Sequence, residues 1–300
     1  MLLGLPEFDM VFSSTVEETC SLLSRHGESA KVFAGGTDLL TNMKLRRVVP
    51  RLLINIKRVP DLDQIHEDAE AGLRIGALAR IQSIKDSPLI VKRLPVVSQA
   101  AGMLGTTQIR HLGTLGGNLA NASPSAEFVP PLLTLDAAVK CVGCRGERLV
   151  PLDKFLVAPG ESALQPDEVI TEVHVPEPPS GAQGIYLKHS FRRMDVSMAG
   201  AAVLVFLDGD CCRDIRIALG AVAPIPFRAR KAEAVLRGKR LTGDRLDGEL
   251  VEEVARVAAA EALPIDDIRG YASYRRKAVA LLVKHELEQV TAGARLGLGV

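Results

Sequence analysis

Apolar residues recur along this chain with two periods, and each change of period marks a change of element. Val16, Cys20 and Leu23 fall at helical spacing. Ser14 and Glu17 have the spacing of a capping box in front of them, and Gly27 supplies a stop. Residues 31–34 read as a short strand running into Gly35 and Gly36, with Thr37 and Asp38 suited to open a second helix. Residues 52–56 are an apolar run of strand length. This β–turn–α–β order predicts a small α/β unit over residues 1–57.

Residues 60–72 are polar and turn-like, and 73–78 read as a strand. Helices are expected over 81–87, 95–103 and 125–135, and short strands around 137–142, 149 and 169–175. Between them, residues 106–121 show no clear period, as a functional loop should. Pro176, Pro178, Pro179 and Gly181 mark a linker. Past it come strands over 185–191, 199–207 and 211–219, the last two joined by a tight turn at Asp208, Gly209 and Asp210. Helices over 228–237, 246–262 and 271–288 finish the chain, the last with Ala278, Leu281 and Leu282 on one side. Strands followed by helices predict an α+β unit. The expected division is 1–57, 58–177 and 178–300.

Composition changes this picture by exclusion. The formal net charge of +1 gives no reason to expect nucleic acid or an anionic membrane. Trp is absent and aromatics make up 4%, too few for a base-stacking platform. The first twelve residues lack a basic stretch, and Pro6, Glu7 and Asp9 interrupt their apolar run, so they make a poor signal peptide. No apolar run is long enough to predict a transmembrane segment. Five cysteines, an odd count, fit a reducing cytoplasm. Cys141 and Cys144 form a C-x-x-C without a second pair at zinc-finger spacing, and adjacent Cys211 and Cys212 point to opposite faces of a strand.

The candidate chemistry lies in two glycine-rich segments, 31–40 (KVFAGGTDLL) and 106–121 (TTQIRHLGTLGGNLAN). Adjacent glycines beside threonine hydroxyls let backbone amides approach a phosphate closely. Two such segments, each near an apolar strand, predict one diphosphate held from both sides, and hence a dinucleotide. Thr37 offers a hydroxyl and Asp38 a cap or a ribose partner. Thr114, Gly116, Gly117 and Asn118 offer a hydroxyl, two amides and a carboxamide, so a side chain at position 116 or 117 is expected to fill the phosphate approach. Thr107, Gln108, Ile109 and Arg110 are candidates for a cavity wall, and Glu127 for a contact to ribose or ribityl hydroxyls. Neither segment fits G-x-G-x-x-G or the Walker A pattern. The six histidines show no metal-ligand spacing; His111 stands out by lying inside the second segment.

Taken together, Gly35-Gly36-Thr37-Asp38 with Asn42 and Lys44, Gln108-Ile109-Arg110, and Thr114-Leu115-Gly116-Gly117-Asn118 resemble one family. So do residues 164–170 (LQPDEVI), Lys188 with Arg192, Arg193, Met194 and Asp195, and Tyr274 with Arg275 and Arg276. The chain resembles the FAD-binding medium subunits of molybdenum hydroxylases, such as carbon monoxide and xanthine dehydrogenases. The resemblance implies an α+β protein: a two-subdomain FAD domain of the vanillyl-alcohol-oxidase (PCMH) type, then a C-terminal domain with a three-stranded antiparallel sheet and a helical bundle. It implies FAD contacts at Val32, Phe33, Ala34, Gly35, Gly36, Thr37, Asp38 and Leu39. It extends them to Thr107, Ile109, Thr114, Leu115, Gly116, Gly117 and Asn118, and to Glu127, Leu164 and Lys188. Asn118 runs to Leu135 without a cysteine, which departs from relatives that carry an iron–sulfur insertion.

The implied role is electron transfer in a cytoplasmic oxidoreductase complex, a dimer of heterotrimers. Its partners are a molybdopterin-binding large subunit, a 2Fe–2S small subunit, and an acceptor such as NAD, quinone or oxygen. No catalytic or metal-ligating residue is expected in this chain. A self-sufficient flavin oxidoreductase and a non-catalytic assembly subunit with a vestigial FAD site are the alternatives.

Overall fold

Leu52, Leu53, Ile54 and Asn55 are all buried. Because successive strand residues point to opposite faces, such a run is stable only in the middle of a covered parallel sheet. That is where the computed structural model, which describes residues 4–68, 72–209, 211–240 and 248–296, places it. Strand β3 (Leu52–Asn55) lies between β1 (Asp9–Phe12) and β2 (Ala30–Phe33), parallel to both. Helix α1 (Val16–His26) packs Cys20 and Leu23 into the same core as Leu52 and Ile54. Its capping box sits one residue later than the sequence suggests. The Thr15 hydroxyl accepts from the Glu18 amide at 3.1 Å and the Glu18 carboxylate accepts from the Ser14 amide at 2.8 Å. β1 has no clear alternation, and for that reason the sequence did not reveal it.

The chain divides into two compact units that are discontinuous in sequence: residues 1–83, 106–122 and 138–175, and residues 84–105, 123–137 and 176–300. The division at 175/176 falls in the proline-rich segment; the excursions at 84–105 and 123–137 have no counterpart in a contiguous division at 57 and 177.

Besides the parallel sheet, the first unit holds helix α2 (Leu39–Lys44) and an antiparallel sheet of order β4-β5-β10-β6-β7. These strands are β4 (Ile65–Asp68), β5 (Gly72–Gly76), β6 (Ala138–Gly143), β7 (Gly146–Pro151) and β10 (Val169–Val175). β4 replaces part of the turn expected over 60–72; it is a mostly exposed edge strand, so its polar sequence lacks alternation. Helix α3 (Ile81–Asp86) follows β5 across the division between the units. Helix α9 (Leu152–Phe155) and the small β8 (Leu156–Ala158) and β9 (Glu161–Ser162) pair complete the first unit, apart from the segment 106–122 described below.

The second unit is built on a sheet of order β11-β12-β13-β14: β11 (Gln183–His189), β12 (Ala199–Asp208), β13 (Cys211–Gly220) and β14 (Phe227–Arg228). The sequence predicts three of these strands; β14 has only two residues and no detectable period. Asp208 pairs with Cys211, as the expected tight turn requires, while Asp210 itself lies outside the described residues. Eight consecutive buried residues in β12 imply cover on both faces. Ala201, Val203 and Val205 pack with helices α10 (Arg230–Leu236), α11 (Gly248–Glu261) and α12 (Ala272–Leu296). Elsewhere on the sheet, helices α4 (Pro88–Arg93) and α5 (Pro95–Met103) bring Val96 against Gly184 and Leu204, and α8 (Val129–Thr134) brings Pro130 against Gly220. Those contacts tie residues 84–105 and 123–137 to this unit.

The buried stripe of α12 is Val279, Val283, Leu287 and Val290; of the residues read as lying on one side, Ala278 is buried while Leu281 is 56% exposed. The expected starts of α11 at 246 and 247 lie outside the described residues. No helix among the described residues is long and apolar enough to cross a membrane.

Candidate functional site: a dinucleotide cradle

Strands β1, β2 and β3 run parallel, so their carboxyl ends share one edge, where parallel sheets place their ligands. From that edge β2 continues through Ala34 into Gly35 and Gly36, and Gly36 has φ +74°, a conformation that side chains resist. Asp38 precedes α2, but its side chain makes no capping bond. The Leu40 amide donates to the Gly36 carbonyl at 3.0 Å and the Thr41 hydroxyl to the Thr37 carbonyl at 2.9 Å. The turn is thereby held, while the amides of Gly35, Gly36, Thr37 and Asp38 have no acceptor among the described residues. Four successive unsatisfied donors at a sheet edge are what an anion cradle requires.

The two glycine segments meet, as the sequence suggests. A Cβ on Gly35 would stand 2.2 Å from the Leu112 carbonyl oxygen and 3.0 Å from Gly113 Cα. Glycine at 35 is therefore required by the second segment itself.

That second segment is not an irregular loop. It forms two short helices, α6 (Thr107–Leu112) and α7 (Leu115–Ala120), capped by the hydroxyls of Thr106 and Thr114. Six-residue helices are too short to show a period, which explains the misreading. The consequence for the site is specific. The Leu115 amide donates to Ala79 O at 3.1 Å, the Gly116 amide to Ala77 O at 2.8 Å, and the Gly117 amide to the Thr114 hydroxyl at 3.1 Å. These amides are spent within the chain, and the Leu115 side chain is fully buried in the core. Gly116 is glycine because a Cβ there would stand 2.7 Å from that of Ala77, so a side chain disturbs packing before it reaches any phosphate. The second segment still offers the Thr114 hydroxyl proton and Asn118, whose Oδ1 is buried with no partner among the described residues.

A cavity of about 350 Å³ opens between the segments, lined by Ala34, Gly35, Leu112 and Thr114 together with Lys57, Arg58, Arg80 and His111. Lys57 and Arg58 leave the carboxyl end of β3, and each is steered by an aromatic ring: Lys57 Nζ lies 4.5 Å from the Phe33 centroid, and the Arg58 guanidinium 4.4 Å from that of Phe12. Neither these two nor Arg80 forms an ion pair among the described residues. The sequence reading missed these cations. The available signal was a Lys-Arg pair directly after a fully buried strand. Thr107 and Ile109 stand on α6, where the Thr107 hydroxyl accepts from Arg110 at 3.0 Å and its carbonyl bonds His111 Nδ1 at 2.8 Å. Leu164 is half-buried in the loop before β10 and does not line this cavity.

Glu127 and Lys188 belong to the second unit. Glu127 lies in the turn ahead of α8, not inside the helix expected over 125–135. Lys188 Nζ stands 3.2 Å from Glu127 Oε1 and donates to the Asp195 carbonyl at 2.8 Å. Burial pushes the Glu127 carboxyl above its ordinary value, and the Lys188 charge opposes that. Beneath the same strand Glu286 is wholly buried: Oε1 accepts the Leu187 amide at 2.8 Å, Oε2 has no partner among the described residues, and burial raises its carboxyl well above the usual range.

Comparison with known proteins places this geometry. Residues 6–178 match the family described as FAD binding domain in molybdopterin dehydrogenase, and residues 185–290 match the CO dehydrogenase flavoprotein C-terminal domain. The chain is 36% identical to the 6-hydroxypseudooxynicotine dehydrogenase complex subunit alpha of Paenarthrobacter nicotinovorans, over 97% of this chain and 96% of that one. It is 34% identical to the carbon monoxide dehydrogenase medium chain of Hydrogenophaga pseudoflava, over 94% and 96%. A solved structure of carbon monoxide dehydrogenase from Hydrogenophaga pseudoflava superposes with a TM-score of 0.92 at 34% identity, covering 97% of this chain and 99% of that one. The chain therefore belongs to the FAD-binding medium-subunit family of the molybdenum hydroxylases, and is an oxidoreductase subunit whose cofactor is FAD. The residues present fit that cofactor: four unsatisfied amides and three unpaired cations suit a diphosphate, and the orphaned Asn118 Oδ1 suits a hydroxyl donor.

Proposed function

We propose that this chain is the electron-transfer subunit of a molybdenum hydroxylase complex. It would take electrons from a 2Fe–2S partner subunit and pass them to a final acceptor such as NAD, quinone or oxygen. The observation that carries the reading is the row of unsatisfied amides from Gly35 to Asp38, which begins at a cavity lined by Gly35, Lys57, Arg58 and Arg80 together with Asp61 and Asp63. These amides bind the diphosphate, with Thr37 and Thr114 adding hydroxyls and Arg80, Lys57 and Arg58 offsetting its charge. Asp38 and Asn118 take ribose or ribityl hydroxyls. When bound, FAD supplies the redox centre, and the protein's part is to hold and orient it. For Glu127 and Lys188 a flavin contact is expected from the family resemblance, as it is for Val32, Phe33, Leu39, Thr107, Ile109 and Leu164.

The partners in this reading are a molybdopterin-binding large subunit, which selects the organic substrate, and the 2Fe–2S small subunit, together a dimer of heterotrimers. Five free thiols favour a cytoplasmic setting.

The test is a visible absorption spectrum of the purified chain after FAD addition and desalting, repeated with the partner subunits present. Flavin retained at about one per chain is expected. Arg80→Ala is expected to weaken binding roughly tenfold, the 1–2 kcal/mol of a charge-assisted contact, and to flatten its salt dependence. A chain that holds no flavin in either setting overturns the reading.

A further inference from the structure

Strand β1 is an open edge of the parallel sheet: among the described residues it pairs with β3 and with no other strand. The Asp9 amide donates to the Arg51 carbonyl at 2.8 Å, and the Ser13 amide to the Asn55 carbonyl at 3.1 Å. In a parallel ladder alternate residues turn their peptide groups to the neighbour, so those of Met10 and Phe12 point away from β3. Their amides have no acceptor among the described residues.

Natural sheets usually cover, bulge or charge such an edge. Here it is apolar. Met10 is 39% and Phe12 45% exposed, and Leu5, Leu45 and Val49 are each at least 40% exposed. These side chains form one surface. Arg46 Nη1 donates to the Gly4 carbonyl at 2.8 Å and to the Met43 carbonyl at 2.9 Å, which ties the segment ahead of β1 to the end of α2. Val49 stands two residues before Arg51, whose carbonyl holds Asp9. Single exposed apolar residues are ordinary, but a cluster beside unpaired backbone marks a contact surface. Because both flanks are tied down, little ordering entropy opposes docking.

Charge and backbone together select the occupant. Lys44, Arg46, Arg47 and Arg51 flank the apolar cluster, and none has a carboxylate within ion-pair distance among the described residues. They outnumber the carboxylates of the same surface, Glu7 and Asp9. A second copy of the chain brings the same cations and is repelled. An anionic lipid headgroup neutralises the cations but leaves the outward peptide groups of β1 unpaired, since it offers no donors and acceptors at strand spacing. An extended polypeptide segment satisfies both. Its backbone continues the sheet, apolar side chains at alternate positions cover Met10 and Phe12, and carboxylates at its flanks meet the arginines.

Resting on the complex of the proposed function, we propose that β1 and residues 44–51 form a docking surface on which a partner subunit adds an extended segment, apolar at alternate positions and flanked by carboxylates. The test uses the chain with a carboxyl-terminal tag, purified from its own host with its partners and, separately, produced alone. Hydrogen exchange of the Met10 and Phe12 amides is expected to be at least tenfold slower in the complex. Met10→Pro removes an outward donor and leaves the β1–β3 ladder intact. That variant, and separately Arg47→Glu with Arg51→Glu, are expected to lower the co-purified partner at least tenfold while keeping flavin and melting temperature. The arginine variant changes exposed side chains alone, so it decides even where Met10→Pro fails to fold. Leu149→Asp, exposed on β7, should lower nothing.

Equal exchange in both states overturns the inference alone, and so does an arginine variant that keeps its partner in full. A dimer of the chain produced alone that protects the same amides assigns the edge to a second copy and also overturns it. Binding of the chain alone to phosphatidylserine vesicles, abolished by the arginine variant while the partner is retained, assigns the surface to a membrane and overturns it too. A wild-type chain that brings down no partner at all overturns the proposed function, and the inference with it.

Discussion

Gly35, Lys188 and Glu286 show how much a single position constrains here. With the Leu112 carbonyl only 2.2 Å from where a Cβ would stand, Gly35→Ala must push the end of α6 away. A loss of about 1–3 kcal/mol in urea unfolding and at least tenfold weaker FAD retention are expected. Removing the cation from the buried Glu127–Lys188 pair leaves a carboxylate with nothing to compensate it. Lys188→Met should cost about 3–5 kcal/mol, and Lys188→Met with Glu127→Gln distinctly less. Equal losses would show that the pair is not coupled.

Glu286 carries a pH signature of definite sign. Its carboxyl is raised by burial, so the folded state holds its proton above the unfolded value of about 4.3, where the unfolded chain has lost it. Stability from this group is complete below that value and falls as pH rises through the window above it. Glu286→Gln, which keeps the acceptor for the Leu187 amide, removes the dependence. Its unfolding free energy relative to wild type should rise by about 1 kcal/mol or more between pH 5 and pH 8. A pH-independent difference would mean that Glu286 is not titrating in this range.

At the scale of elements, the capping threonines set the helix starts. The Thr15 hydroxyl accepts the Glu18 amide while the Glu18 carboxylate accepts the Ser14 amide, so Thr15→Ala should cost about 1 kcal/mol in chemical denaturation. Thr114→Ala is a sharper probe, because its hydroxyl both caps α7 and borders the cavity. It should lower stability by a similar amount and weaken FAD binding as well, whereas Thr15→Ala leaves binding alone. Long strands and helices with a clear period, such as β12, β13 and α5, were legible from the sequence. The helix pair α6 and α7 was not, since six residues make less than two turns.

For the whole molecule, ligand binding to the folded state must appear as stability. FAD at a hundred times its dissociation constant should raise the unfolding free energy of the binding unit by about 2.7 kcal/mol, read as a melting-temperature shift that grows with FAD concentration. An unmoved melting temperature at saturating FAD would contradict the cradle. The same scale explains why residues 84–105 and 123–137 were misplaced by a contiguous reading. Val96 and Pro130 pack on the sheet of the second unit, a long-range choice that no local period encodes.

Local chemistry in the sequence determined the two glycine segments, the tight turn at Asp208 and Gly209, the proline-rich boundary and the family, because each rests on residue types at fixed short spacing. Tertiary structure decided which amides remain free. The first segment keeps its four because its turn is closed by other groups, while the second spends its own on Ala77, Ala79 and Thr114. It also decided that Lys57 and Arg58, just past parallel β3, share a cavity with Arg80, which follows β5 of the antiparallel sheet and is bridged to Thr114, a juxtaposition that no local spacing encodes.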